Sequence, residues 1–185
     1  MKIMTIAVTV ALLLLPLCAC SPGKKGYEDA LDADREAREK MISAEGLMRD
    51  VASIQEIAGN EPTEGELQAI ESKRNEAIDA FAVALESWED AVEIYEQLIT
   101  ENPDEPVYLN NLANLIYNRA HHGLQADLAR ARELLDKALQ MADREIFRRN
   151  HELIEEMANN ADTMALVKEN REIVAELRRL SAARD

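Results

Sequence analysis

Apolar side chains recur at three- and four-residue steps along most of the chain, a spacing that predicts amphipathic helices. The first predicted helix covers residues 28–58. The second covers residues 66–100, where neither Gly nor Pro occurs, so one continuous helix is predicted. A bend at Ser87 is the alternative. The remaining predicted helices cover residues 107–121, 128–142, 143–158 and 163–182.

Clusters of turn-forming residues separate these helices. The segments 59–62 (GNEP) and 102–106 (NPDEP) both contain Pro and mark clear breaks. Thr63 with Glu66 three positions later has the spacing of a capping box, in which each side chain bonds the other's backbone N–H. Two more N-caps are predicted, at Asp127 and Asp162.

Composition supports an all-α protein. Aromatic residues make up only 4% of the 185 residues, which argues against a β-sandwich or barrel. The chain carries 36 acidic and 21 basic side chains, a net charge of −15, and phosphate backbones repel such a protein. We therefore expect no nucleic-acid partner. The charge is uneven, because residues 20–118 carry −15 and residues 119–185 carry −1.

The first residues have the pattern of a secretory signal peptide. Lys2 supplies a positive charge, and Ile3–Leu17 is almost wholly apolar. As a helix those fifteen residues would extend about 22 Å, less than the ~30 Å hydrocarbon core of a bilayer. A membrane anchor that stays attached is the alternative interpretation.

This segment ends in Leu17-Cys18-Ala19-Cys20, which resembles the lipobox of bacterial lipoproteins. The resemblance implies removal of residues 1–19, lipidation of Cys20 and a lipidated tether over residues 20–27. Because Ser21 is not the Asp that retains such proteins at the inner membrane, it also implies an outer-membrane anchor facing the periplasm, with exposure at the cell surface as an alternative. A disulfide between Cys18 and Cys20 has poor geometry at that spacing.

The stretch 88–142 resembles tetratricopeptide repeats. Ala91, Tyr95, Leu98 and Pro103 match the second helix of one repeat, and the phrase LNNLANLIY at 109–117 matches the first helix of the next. Ala91 to Ala131 spans 40 residues, longer than the usual period of about 34. The resemblance implies antiparallel helical hairpins, as a repeat array of about one and a half repeats with long flanking helices. Residues 28–185 would form a single domain; a generic helical bundle is the alternative.

Motifs for catalysis or cofactor binding do not occur in the sequence. We therefore predict a non-enzymatic protein without a cofactor or a metal. Neighbouring helical residues point about 100° apart, so His121 and His122 are poorly placed to bind one metal, and surface or loop positions are predicted for them. Trp88 and Tyr95, seven residues apart, are predicted to lie in the core.

The polar side of the helix at 107–121 is the candidate protein-binding surface. Asn110, Asn111 and Asn114 share one side of the predicted helix, and amides can pair with the backbone of an extended peptide. An ordinary exposed polar face is the alternative. The edge of this surface would be formed by Tyr108 and Tyr117.

These features predict an outer-membrane-anchored periplasmic lipoprotein that binds a protein or peptide as a scaffold in envelope assembly or secretion. It would contact the membrane through lipidated Cys20. The first alternative is a structural coiled-coil lipoprotein that oligomerises through the helix at 66–100. The second is an envelope enzyme or a solute-binding lipoprotein, which would need a deep pocket with convergent polar groups.

Overall fold

The computed structural model describes residues 24–184, and this part of the chain is all-α. Six helices follow one another: α1 Lys24–Ala58, α2 Glu64–Glu101, α3 Pro106–His121, α4 Leu128–Met141, α5 Glu145–Asn159 and α6 Ala161–Arg184. The all-α class and the hairpin-like packing of consecutive helices confirm the prediction. The apolar leader and Cys20 lie outside the described residues.

Helix ends follow local hydrogen-bonding chemistry. The predicted capping box is present, since Thr63 accepts a bond from the Glu66 N–H and the Glu66 carboxylate accepts one from the Thr63 N–H. Asp127 caps α4 as predicted. The prediction for Asp162 is wrong: Asn160 Oδ1 accepts from the N–H groups of residues 162 and 163, so the cap lies two residues earlier.

The first helix also begins earlier than predicted. It starts at Lys24, inside the predicted tether of residues 20–27. Part of the reason is that Gly26 packs against α2: a Cβ added there would meet the side chains of Leu98 and Ile94 at 3.8 and 3.9 Å. This contact extends the helix pair beyond the apolar stripe that begins near residue 30.

Helix α2 is continuous from Glu64 to Glu101 and is not divided into two helices at Ser87. It pairs with α1 in an antiparallel hairpin, in which Trp88 lies against Asp34 and Lys73 against Asp50. Small side chains recur at seven-residue steps on both partners, and all are fully buried: Ala30, Ala37 and Ala44 on α1, and Ala77, Ala84 and Ala91 on α2.

Large side chains alternate with these alanines along the contact between α1 and α2, which we call the hairpin seam. Phe81, Trp88 and Tyr95 repeat every seven residues on α2, and Met41 and Met48 do so on α1. The antiparallel register places the alanines at matching levels, Phe81 opposite Met41, Trp88 opposite Asp34 and Tyr95 opposite Tyr27. Alanines let the backbones approach, and a repeat of seven keeps both seams facing each other. The buried stripe of α2 is therefore covered within the chain by α1 and α3.

The remaining helices extend this hairpin. Helices α3 and α4 form a second hairpin, with α3 against α2. Helix α5 packs against both α4 and α3. Helix α6 contacts its neighbour α5 only at a few positions and turns back to touch α1, α2 and α3. The apolar core is continuous through all six helices and includes Leu124 in the α3–α4 loop.

Candidate protein-binding site

Helix α3 packs against α2, α4, α5 and α6, and none of its side chains is fully exposed. Its apolar side is buried as predicted, with Leu109, Leu112 and Ile116 in the core. Ala113 has no exposed surface, in keeping with a position where neighbouring helices approach closely. The polar side of α3 is covered in part by α1, α5 and α6, so its side chains have distinct environments.

Asn110 is not part of an exposed surface, and this corrects the sequence-based prediction. Its side chain is 4% exposed. The Asn150 Nδ2 group of α5 donates to Asn110 Oδ1 at 2.8 Å, and Asn110 Nδ2 donates to Asn111 Oδ1 at 3.0 Å. The position of α5 against this side of α3 could not be read from the α3 sequence. Asn110 is a buried link between two helices.

Asn111 has partners inside the protein as well. Its Nδ2 group lies 3.2 Å from the Tyr27 hydroxyl and 3.4 Å from the Tyr95 hydroxyl, as a donor to both. Burial raises the pKa of the Tyr95 phenol still further above physiological pH. Tyr108 lies half-buried beside this group, with its ring 5.5 Å from that of Tyr27. These side chains join the start of α1 to the start of α3.

Asn114 and Tyr117 remain accessible, and the same side of α3 continues into Asn118 and His121, which the sequence analysis did not assign to the binding surface. We define the α3 stripe as Asn114, Tyr117, Asn118 and His121, all half-buried and three or four residues apart on one side of the helix. The rings of Tyr117 and His121 stack, with centroids 6.1 Å apart and planes at 20°. The i, i+4 spacing of Asn114 and Asn118 in the sequence would have revealed the second amide.

The side-chain polar atoms of the α3 stripe have no hydrogen-bond partner within the described part of the chain. The amides of Asn114 and Asn118 make no hydrogen bond there. The Nδ1 atom of His121 is buried and unpaired among the same residues. Burial, reinforced by the neighbouring His122, lowers the pKa of His121, so its ring is neutral at pH 7. The stripe thus offers neutral donors and acceptors beside a stacked aromatic pair.

A buried polar cluster lies behind the stripe and corrects the predicted surface position of His122. His122 is only 8% exposed, and its Nδ1 atom lies 2.8 Å from Glu45 Oε1. The Trp88 ring is 5.7 Å from the His122 ring, and Trp88 Nε1 donates to Asp34 Oδ1 at 3.3 Å. Burial raises the pKa of Asp34, although the ion pair with Arg38 opposes this effect.

A second set of polar contacts links α6 to α1 and α3. Asn170 Nδ2 donates to the His121 carbonyl at 2.9 Å, and Arg49 Nη2 donates to Asn170 Oδ1 at 3.1 Å. Arg49 also pairs with Glu169 at 3.3 Å. The sequence carried a signal for this contact, because Asn170 interrupts the apolar stripe between Val167 and Val174.

Residues 24–184 contain neither a cluster of candidate metal ligands nor a helix suited to span a bilayer. Within residues 24–184 no three His, Cys, Asp or Glu side chains are grouped so that they could hold a metal ion. The rings of His121 and His122 are perpendicular, at 86°. No helix in the described part of the chain has both the length and the apolar character needed to cross a bilayer.

Comparison with known proteins gives no relatives. No family model, no curated protein and no solved structure matches this chain. The candidate function therefore depends on the chain's own residues and geometry.

Proposed function

We propose that this chain is a lipid-anchored, non-enzymatic protein-interaction scaffold of the bacterial cell envelope. The observation that carries the proposal is the α3 stripe: accessible amides of Asn114 and Asn118 without internal partners, beside the stacked Tyr117 and His121 rings. Polar groups that are partly removed from water are costly unless they are paired. A bound peptide backbone would supply the missing donors and acceptors.

The scaffold part of the proposal is supported by the helices around the stripe. A hydrogen bond between Asn110 and Asn150 links α5 to α3, and a hydrogen bond between Asn111 and Tyr27 links α1 to α3. The stripe is therefore held on a helix fixed from two sides, which lowers the entropy cost of binding. Repeat-like helical hairpins present such rigid helix faces to partners.

The anchor part of the proposal depends on Cys20. Only three residues separate Cys20 from the start of α1 at Lys24, a distance of at most about 14 Å along the chain. Lipidation of Cys20 would hold the helical body against the membrane surface, where it would act in envelope assembly or secretion. Ser21 favours the outer membrane facing the periplasm, by resemblance to sorted lipoproteins.

The anchor is tested by changing Cys20 to Ser and separating cells into membrane and soluble fractions. We expect the variant to accumulate unprocessed or to become soluble. A Cys20→Ser protein that is processed to its mature size and still sediments with the membrane would overturn the anchor.

The binding surface is tested with the full chain in its native membrane, by crosslinking and capture. Asn114→Ala with Asn118→Ala should weaken recovery of the partner at least about tenfold, or ~1.4 kcal/mol. The matched control is Gln55→Ala with Gln68→Ala, which removes two exposed amides at the tip of the α1–α2 hairpin. Equal recovery by the stripe variant and the control, with unchanged thermal unfolding, would exclude the α3 stripe as the binding surface.

A further inference from the structure

A groove of about 540 Å³ lies between α6 and the segment that joins α3 to α4. Its floor is apolar, formed by buried Leu124, Met157, Val167 and Val174. Met164 stands at the rim with 55% of its surface exposed. This volume falls in the range of ligand-binding clefts, and the groove is open along one side.

The charge of the groove is opposite to that of the protein. Arg171 and Arg178 line it, and none of its lining residues is acidic, although the chain carries −15. Neither arginine has an ion-pair partner within the described residues, whereas Arg179 on the same helix is paired with Glu176. Two unpaired arginines above an apolar floor favour an occupant that is both apolar and acidic.

The opposite wall of the groove favours a peptide as that occupant. Residues 124–127 form a non-helical segment. The backbone N–H groups of Gln125 and Ala126 have no hydrogen-bond partner in the described part of the chain. The carbonyl oxygens of an extended peptide can accept hydrogen bonds from such free backbone N–H groups. An acyl chain could fill the apolar floor but would accept no hydrogen bond from these groups.

The spacing of the arginines fits the same occupant. Arg171 and Arg178 are seven residues apart on α6, which places them about 10.5 Å apart along the helix axis. In the extended polyproline II conformation, three residues cover about 9 Å, and side chains three positions apart lie on the same side of the peptide. Two carboxylates three positions apart, with apolar side chains around them, would therefore match the two guanidinium groups and the floor together.

We infer that the α6 groove binds an extended, apolar segment of a partner protein that carries two acidic residues three positions apart. This inference rests on the proposed role in protein binding, but it concerns a surface different from the α3 stripe. The two ideas can therefore fail separately.

The test uses the full chain in phospholipid nanodiscs and a defined probe. The probe is a fluorescein-labelled octapeptide with blocked ends and valine or leucine residues around two glutamates three positions apart. We expect saturable binding by fluorescence anisotropy, and Arg171→Gln with Arg178→Gln should weaken it at least about tenfold. The matched control, Lys168→Gln with Arg179→Gln, removes the same charge from other faces of α6 and should leave binding nearly unchanged.

A second variant distinguishes a loss of binding from a loss of fold. Ala175→Glu places a carboxylate in the groove at an exposed position and should also weaken binding while circular dichroism stays the same. Asn114→Ala with Asn118→Ala should leave probe binding unchanged. Loss of probe binding in that variant would overturn the assignment to the groove.

Several results would contradict the inference. The first is that the probe does not bind. The second is that a peptide with glutamines in place of the glutamates binds as tightly as the probe. The third is that the control variant loses as much binding as Arg171→Gln with Arg178→Gln. Binding of laurate to the groove without binding of the peptide would assign it to a lipid anion instead. Sedimentation showing a dimer that dissociates in Arg171→Gln with Arg178→Gln would assign it to a second copy. In each case, partner capture that still depends on the α3 stripe would leave the scaffold proposal intact.

Discussion

The α1–α2 hairpin and helix α6 are held in place by different kinds of contact. The hairpin has a regular seam, in which buried alanines alternate with Met, Phe, Trp and Tyr at seven-residue steps. Helix α6 buries only Val167, Val174 and Leu177 among its large apolar side chains, and polar contacts through Asn170 complete its attachment. Regular apolar seams distribute stability over many residues, whereas an attachment of this second kind depends on a few.

This difference separates a stable region from an adaptable one. Local opening costs least where few apolar contacts must be broken. Helix α6 forms one wall of the groove, so the proposed peptide site lies in the region that adapts most readily. The α3 stripe lies between the two regions, on a helix supported by both.

The largest effect is expected at Gly123, where the α3–α4 loop meets α6. Its φ is +76°, and a Cβ there would lie 2.5 Å from the Arg171 backbone N. Gly123→Ala should lower the unfolding free energy by about 3 kcal/mol, from backbone strain and overpacking together. Urea unfolding followed by the fluorescence of Trp88, the only tryptophan, measures this change.

Gly59 provides the control for that experiment. Its φ is +63°, but an added Cβ would meet nothing within 4 Å. Gly59→Ala should therefore cost only the backbone strain, about 1 kcal/mol. If both alanine variants lose the same stability, the close approach of the loop to α6 is not a determinant of stability.

The next effect is expected in the seam of the hairpin. Ala84→Leu inserts a large side chain at a position with no exposed surface and should cost about 1–3 kcal/mol. Ala82→Leu on the exposed side of the same helix should change stability by less than about 0.5 kcal/mol. Matching melting temperatures for the two variants would show that the alanine seam is not tightly packed.

A smaller effect is expected from the polar attachment of α6. Asn170→Ala removes the donor to the His121 carbonyl and an acceptor for Arg49, and should cost about 1–2 kcal/mol. Lys168→Ala, on the exposed side of α6, is the control and should be nearly neutral. A neutral Asn170→Ala variant would mean that the apolar residues alone hold α6.

The smallest effect concerns pH. The pKa of His121 is lowered by burial, so the unfolded chain binds a proton more readily and stability falls as the pH drops below about 6.5. His121→Phe keeps a ring beside Tyr117 and removes this titration, so its stability should fall less between pH 6.5 and 5. An identical slope in both proteins, measured by urea unfolding across that range, would contradict the burial of His121.

The regular part of the fold could be predicted from the sequence because it depends on local patterns. The continuity of α2, the Thr63–Glu66 capping box and the buried Trp88 and Tyr95 all follow from spacing within one helix. The position of α6 and the partner of Asn110 could not be predicted, because both depend on which helix packs against which.

For the binding surface, too, the features that depend on one helix could be predicted, and those that depend on packing between helices could not. The prediction that α3 has a polar side was made from its own residues, but the exposure of each amide depends on neighbours distant in sequence. Asn150 lies 40 residues beyond Asn110 and buries it. The unpaired state of Asn114 and Asn118, and the approach of α6 at Gly123, are visible only in three dimensions.

Amide hydrogen exchange on the full chain in nanodiscs, with and without the probe peptide, tests the distinction between a stable hairpin and an adaptable peptide-binding end. We predict that α2 amides around residues 77–98 exchange slowest and are unaffected by the peptide. The amides of α6 and of residues 124–128 should exchange faster in the absence of peptide and become slower when it binds. Exchange in α6 as slow as in α2 without peptide, or peptide protection elsewhere than the groove, would contradict this division.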